Sequence, residues 1–197
     1  MKTRNLTLII IVGLILLLGG CGCSRYNSLV GADQEVKTAW SNVETNYQRR
    51  TDLYSSVVKT IEGSANFEKS TLKEVIAARA SATQVKVDIN DPATLQKYQA
   101  AQGQLQSAFG RLMAVAEAYP NLKTTDAFQN FQAQIEGTEN RINVARRDYN
   151  DKVKDYNLRV KTFPNNIFAG MFGFKEKAYY QADAGAEKNP DIKFDIK

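Results

Sequence analysis

Residues 36–61 read VKTAWSNVETNYQRRTDLYSSVVKTI, and this stretch decides the fold. Val36, Trp40, Val43, Tyr47, Tyr54, Val57 and Ile61 recur at steps of four and three, with Arg50 in the one polar slot. That spacing lines one face of an α-helix; a strand would need alternate residues to share a side. Extended back to Leu29, the helix has about nine turns at ~3.6 residues per turn. Gly63, after Glu62, suits the left-handed conformation that ends helices.

The same reading continues outward. A second helix starts near Asn66, carries Leu72, Val75, Ile76, Arg79 and Ala82, and fades before Asn90-Asp91-Pro92. There Asn90 or Asp91 can cap a third helix, and Pro92 suits its first turn because the missing N–H has no partner there anyway. The third stripe is Leu95, Tyr98, Leu105, Phe109, Leu112, Ala116 and Tyr119, with Gln102 in the remaining slot and Pro120 as the stop. Thr124-Thr125-Asp126 can cap a fourth helix with the stripe Phe128, Phe131, Ile135, Thr138, Ile142, Ala145, Tyr149, Tyr156 and Val160. It runs to about Thr162, because Pro164 biases Phe163 away from helix. Short connections make sequential helices antiparallel. The expectation is all-α: an antiparallel four-helix bundle of coiled-coil-like stripes, with two long helices, over residues 25–181. Ile167, Phe168, Met171, Phe172 and Phe174 form an apolar cluster that folds back onto the bundle's end; left exposed, it becomes a membrane or partner site. Residues 182–197 read as a flexible polar tail.

Residues 1–24 are different. Lys2 and Arg4 precede LTLIIIVGLILLL at residues 6–18, and Gly19-Gly20-Cys21 follows. A basic start, an apolar run and small residues form a secretory signal peptide. Leu18-Gly19-Gly20-Cys21 resembles a bacterial lipobox, which makes Cys21 a lipidation site and the chain a lipoprotein. The uncharged stretch at 5–24 also reaches the ~20 residues of an uncleaved transmembrane helix. In both readings the chain has a single N-terminal anchor in the cell membrane. The positive N-terminus stays in the cytoplasm and the bundle lies outside it.

Composition removes whole classes of chemistry. The 197 residues include 26 Lys and Arg, 21 Asp and Glu and no histidine, with a formal charge of +5. Without histidine there is no Ser-His-Asp or Cys-His activation, no His-ligated zinc and no Glu-x-x-His di-iron site. The positive charge is small and dispersed, unlike the clustered patch of a nucleic-acid-binding surface. Cys21 and Cys23 sit too close together to staple a fold. No cofactor and no metal site is expected.

Several motifs together carry a family resemblance. They are Tyr26-Asn27-Ser28-Leu29-Val30, Trp40, Gln48-Arg49-Arg50-Thr51-Asp52-Leu53, and Glu68 with Ala77-Ala78-Arg79-Ala80. Glu117-Ala118-Tyr119-Pro120-Asn121-Leu122, Thr138-Glu139-Asn140-Arg141-Ile142, Ala145-Arg146-Arg147-Asp148-Tyr149-Asn150, Tyr156-Asn157 and Phe163-Pro164 complete the set. The chain resembles the LemA family over nearly all of its length after the anchor. It departs after Asp52-Leu53, where members often carry a proline and this chain has Tyr54-Ser55-Ser56, and at Phe67, where they often carry histidine; a role that needs that histidine does not transfer. The resemblance implies a four-helix bundle on a membrane anchor, without established enzymatic activity. A magnetosome-membrane protein in the family points to membrane organisation.

The polar residues of those motifs are the candidate site: Arg49, Arg50, Arg79, Glu117, Glu139, Asn140, Arg141, Arg146, Tyr149 and Asn150. Arg50 and Arg79 fall in or beside apolar stripes. A buried arginine needs a carboxylate, for which Glu139 and Glu117 are the candidates. Such pairs set helix register, or they form a polar recognition patch. Together these features predict a non-enzymatic interaction or scaffold module with an envelope protein partner. The alternative is an envelope protein that binds a small ligand or lipid.

Overall fold

The computed structural model describes residues 2–62, 69–123 and 125–181, with side chains placed from residue 22 onward except at Asn121 and Lys123. Among the described residues six helices follow one another: α1 (Lys2–Glu62), α2 (Lys69–Gln84), α3 (Pro92–Ala116), α4 (Pro120–Lys123), α5 (Asp126–Lys161) and α6 (Asn165–Phe172). There is no strand among the described residues. Two of the helices are long, α1 with 61 residues and α5 with 36. The caps fall within the two regions that the sequence offered. Asp91 accepts from the Ala93 N–H at 2.9 Å, and Thr125 Oγ1 accepts from the Phe128 N–H at 3.3 Å.

The chain divides into two compact units, Met1–Asn46 with Asn140–Tyr179, and Tyr47–Glu139 with Tyr180–Lys197. In the first, α1 and α5 run antiparallel: Ser28 meets Arg159, Glu35 meets Lys152, and Trp40 meets Tyr149. Leu29, Val36 and Val43 on α1, and Ile142, Tyr149, Val153 and Tyr156 on α5, are fully buried. This is a two-helix seam at steps of three and four. Each large aliphatic residue so buried contributes about 1.5–3 kcal/mol relative to exposure. The apolar cluster after Pro164 does fold back, as α6. Phe172 and Phe174 meet the Tyr26 ring edge-on at 4.9 and 5.8 Å. The Phe168 ring lies so close to Gly22 that a Cβ there would sit 3.3 Å from it. Gly173 closes α6 at φ 75°, a left-handed cap that suits glycine. Residues 174–179 then follow as a strap without regular secondary structure.

In the second unit, α1 and α3 run in the same direction: Tyr47 meets Tyr98, Arg50 meets Gln102, and Tyr54 stacks on Phe109 at 3.7 Å. Leu72 and Val75 of α2, Leu105 and Leu112 of α3 and Phe128 of α5 share one core with Val57 and Ile61.

Some boundaries differ from the sequence reading. The first helix is continuous back to Lys2, well before Leu29. Pro120 opens the single turn α4 as well as ending α3, since proline is at home in a first turn. Ile76 is exposed, and so is Arg79, because α2 buries a narrow strip of Thr71, Leu72, Val75 and Ala82. A long arginine stem at the edge of such a strip reaches water easily. Gly63, Phe67, Thr124 and the tail 182–197 lie outside the described residues, as does the Cys21 side chain. Among the described residues no helix is long and apolar enough to cross a membrane, but the side chains of the apolar run 6–18 are not among them.

Candidate functional site

The stripe of α1 carries Arg50 into the interior of the second unit, where its side chain is 2 % exposed. Charged groups are buried only when paired and hydrogen-bonded. Arg50 Nη2 donates to Gln102 Oε1 at 2.7 Å and to the Gln102 carbonyl at 3.1 Å. Nη1 donates to Glu139 Oε1 at 3.3 Å, the counter-charge, whose side chain is 27 % exposed. The guanidinium also lies 4.6 Å from the Tyr47 ring centre, a cation–π contact. Arg50 Nε has no hydrogen-bond partner. Tyr54, one turn on, donates its hydroxyl to the same Glu139 oxygen at 3.3 Å. Burial pushes the Tyr54 hydroxyl pKa well up; Glu139 adds to this and the Arg50 charge opposes it. The Tyr47 and Tyr180 hydroxyls hydrogen-bond each other.

The first unit holds a second buried cation that the sequence did not advertise. Lys177, in the strap, is 2 % exposed and pairs with Asp33 at 2.7 Å. Its ammonium sits 4.9 Å from the Tyr156 ring centre. The Asn157 side chain grips the strap backbone twice, accepting from the Lys177 N–H and donating to its carbonyl, both at 2.9 Å. Burial raises the Asp33 pKa, but hydrogen bonds and charge from Lys177 and Lys37 outweigh it, so the carboxyl ends below its usual 3.8. Tyr149 anchors the strap one residue on, donating to the Ala178 carbonyl at 2.8 Å. Burial holds that hydroxyl neutral far into the alkaline range.

The ten candidate residues therefore have different situations. Arg50 and Glu139 are brought together. Arg49, Arg79, Glu117, Asn140 and Arg141 are exposed, Arg146 and Asn150 are half-buried, and Tyr149 is fully buried. Glu117 is exposed because it lies just beyond the last α3 turn, off the face that carries Leu112 and Ala116. The sequence reading missed Gln102 as a partner, although it sat in a stripe slot. It also missed Asp33, Asn157 and Lys177. Asn157 beside Tyr156 was the available signal; Lys177 lies in a segment with no period to read. Among the described residues, no cluster of three or more metal-ligating side chains is placed to hold a metal ion.

The LemA family model matches residues 39–194, most of the chain and all of the Arg50 environment. The chain belongs to the LemA family. This LemA-family chain is 27% identical over 176 residues to the magnetosome protein MamQ 2 of Paramagnetospirillum magneticum, covering 80% of this chain and 65% of the relative. It is 27% identical over 158 residues to protein LemA of Metamycoplasma hominis, covering 80% and 69%. The magnetosome protein MamQ of Magnetospirillum gryphiswaldense is 25% identical over 175 residues, covering 79% and 64%. The chain thus spans just under two thirds of the length of these magnetosome relatives.

Proposed function

We propose that this chain is a membrane-anchored, non-enzymatic helical-bundle protein that serves as an interaction or scaffold module at the cell envelope. One observation carries the reading. Arg50, the most deeply placed charge of the family-like motifs, spends its hydrogen bonds on Gln102 and Glu139 of its own unit. A guanidinium used this way sets helix register and is closed to a substrate. Two of the relatives are named as magnetosome proteins, which supports a place at a membrane. The apolar run at 6–18 supplies the means, as a transmembrane helix or through lipid on Cys21, with an antiparallel four-helix bundle held outside the cytoplasm. Such a module acts by holding an envelope protein partner.

The ligand-binding alternative gains little from the groove between α2 and α3. Ala77, Ser81, Gly103 and Ser107 on its walls are all exposed, and small-ligand sites are enclosed. Cross-linking in native membranes tests the scaffold reading. A discrete adduct with one envelope protein is expected; recovery of the chain alone under cross-linkers of several lengths overturns it. The intact mass from the same membranes distinguishes the anchors. Loss of residues 1–20 with acyl chains on Cys21 marks a lipoprotein, and a full-length mass marks a helix.

A further inference from the structure

Helix α6 is patterned inside out. It reads NNIFAGMF and carries no charge. Its small residue Ala169 is the buried one, at 1 % exposure. Ile167 is 55 % exposed, Met171 69 % and Phe172 48 %, and Phe163 just before the helix is 80 % exposed. Ile167 and Met171 are one turn apart, with exposed Gly170 between them, so they form a single apolar stripe. A helix packed on a bundle in water normally shows the reverse order. Packing on the first unit does not relieve this stripe, because α6 docks through Phe168, Ala169 and the inner edge of Phe172.

Where α6 docks identifies what covers it. Phe168 rests on Gly22 and Phe172 on Tyr26. Gly22 follows the end of the apolar run, Leu18, by four residues of the continuous helix α1, about 6 Å along the axis at ~1.5 Å per residue. The headgroup layer on each side of a bilayer is about 5–7 Å deep. We propose that α6, together with Phe163, is a second membrane contact that lies in the headgroup layer beside the N-terminal anchor. The lipoprotein form gives the same depth, since Cys21 is the residue next to Gly22. Exposed Arg25 is the sequence neighbour of Tyr26, on which Phe172 and Phe174 rest, and exposed Lys175 follows Phe174; both suit anionic headgroups. The contact rests on the membrane reading above and deepens it: the bundle is held at two points, which fixes its tilt on the surface.

The test uses the full chain in vesicles of phosphatidylcholine with a minority of phosphatidylglycerol, with or without bromine on the upper acyl chain. Two variants each add one reporter, Met171→Trp and Val144→Trp. Val144 is also exposed, on the α5 segment beyond Tyr149, toward the end of the unit away from Gly22. The native Trp40 is buried and lies 18 residues beyond Gly22, about 27 Å along α1, so it supplies an unquenched baseline. The expected result is a blue-shifted, bromine-quenched signal from Met171→Trp and none from Val144→Trp. Flotation of the same samples separates the two claims. Protein that floats with the vesicles while Met171→Trp ignores bromine overturns the α6 contact and leaves the anchor standing. If that emission instead follows protein density, a second copy covers the stripe. Protein that does not float overturns both.

Discussion

Removing the charge from Glu139 should destabilise the protein more than removing the buried arginine it serves. At 3.3 Å a unit charge pair is worth about 5 kcal/mol at an effective dielectric of ~20. Glu139 is 27 % exposed, so water screens roughly half of that, leaving about 2–3 kcal/mol. In Glu139→Gln the acceptor oxygen stays and Arg50 keeps both Gln102 bonds, so the loss is the counter-charge, about 2 kcal/mol. Arg50→Met keeps an apolar stem among the tyrosines and removes the desolvated charge. It forfeits about 0.5–1 kcal/mol of cation–π attraction. It also leaves Gln102 Oε1 without its donor, about 1 kcal/mol. Relief from desolvation offsets most of both, so the net loss is about 1 kcal/mol or less. In the Arg50→Met background Glu139 can turn toward water, and Glu139→Gln then costs under about 0.5 kcal/mol. The cycle closes with a coupling of about 2 kcal/mol, read by urea denaturation followed by helical circular dichroism. Equal costs for Glu139→Gln in both backgrounds would refute the reasoning, since the pair would then carry no shared energy.

Three further outcomes follow from the geometry. The lowered Asp33 pKa means that its ionised form stabilises the fold above the unfolded value near 3.9, and this contribution is lost as pH falls through the folded value. Asp33→Asn should therefore flatten the acid limb of stability against pH, and an unchanged limb would remove Asp33 from the account. Tyr156 is pushed up to about 12 by burial and by Asp33. Its neutral form contributes fully below the unfolded value near 10 and is lost as pH climbs toward 12. Tyrosinate absorbance should rise in two stages, the later one coinciding with loss of helical signal; a single early stage contradicts the burial of Tyr54, Tyr149 and Tyr156. Asn157→Ala removes both bonds to the Lys177 backbone, about 2 kcal/mol. The Lys177 amide should then exchange about thirtyfold faster, while amides of the α1–α5 seam hold their rates.

The core of this protein was readable because helical burial repeats. Every member of the stripe from Val36 to Ile61 is buried, Arg50 included, since a three-four step leaves no choice of face. The same rule failed at Ile76 and Arg79, because α2 buries only a narrow strip and a stripe does not report how wide a face its helix buries. Glu139 was readable as the carboxylate for a buried arginine because charge needs charge. Gln102 was not, because an amide in a stripe has no obligatory partner type. The strap was silent: a segment without regular secondary structure has no period, and its register comes from Asn157 holding the Lys177 backbone.

The sequence by itself determined the helical class, the cap regions at Asn90-Asp91 and Thr124-Thr125-Asp126, the stripes, the apolar N-terminal run and the loss of histidine chemistry. These follow from local spacing and residue type, which act within one or two turns. Tertiary structure alone decided that Arg50 meets Gln102 and Glu139, that Lys177 is buried against Asp33, and that α6 turns Ile167 and Met171 outward. Those outcomes join residues far apart in the chain; Asp33 and Lys177 are separated by 144 positions. Desolvation and pairing energies of that kind exist only once the helices have packed.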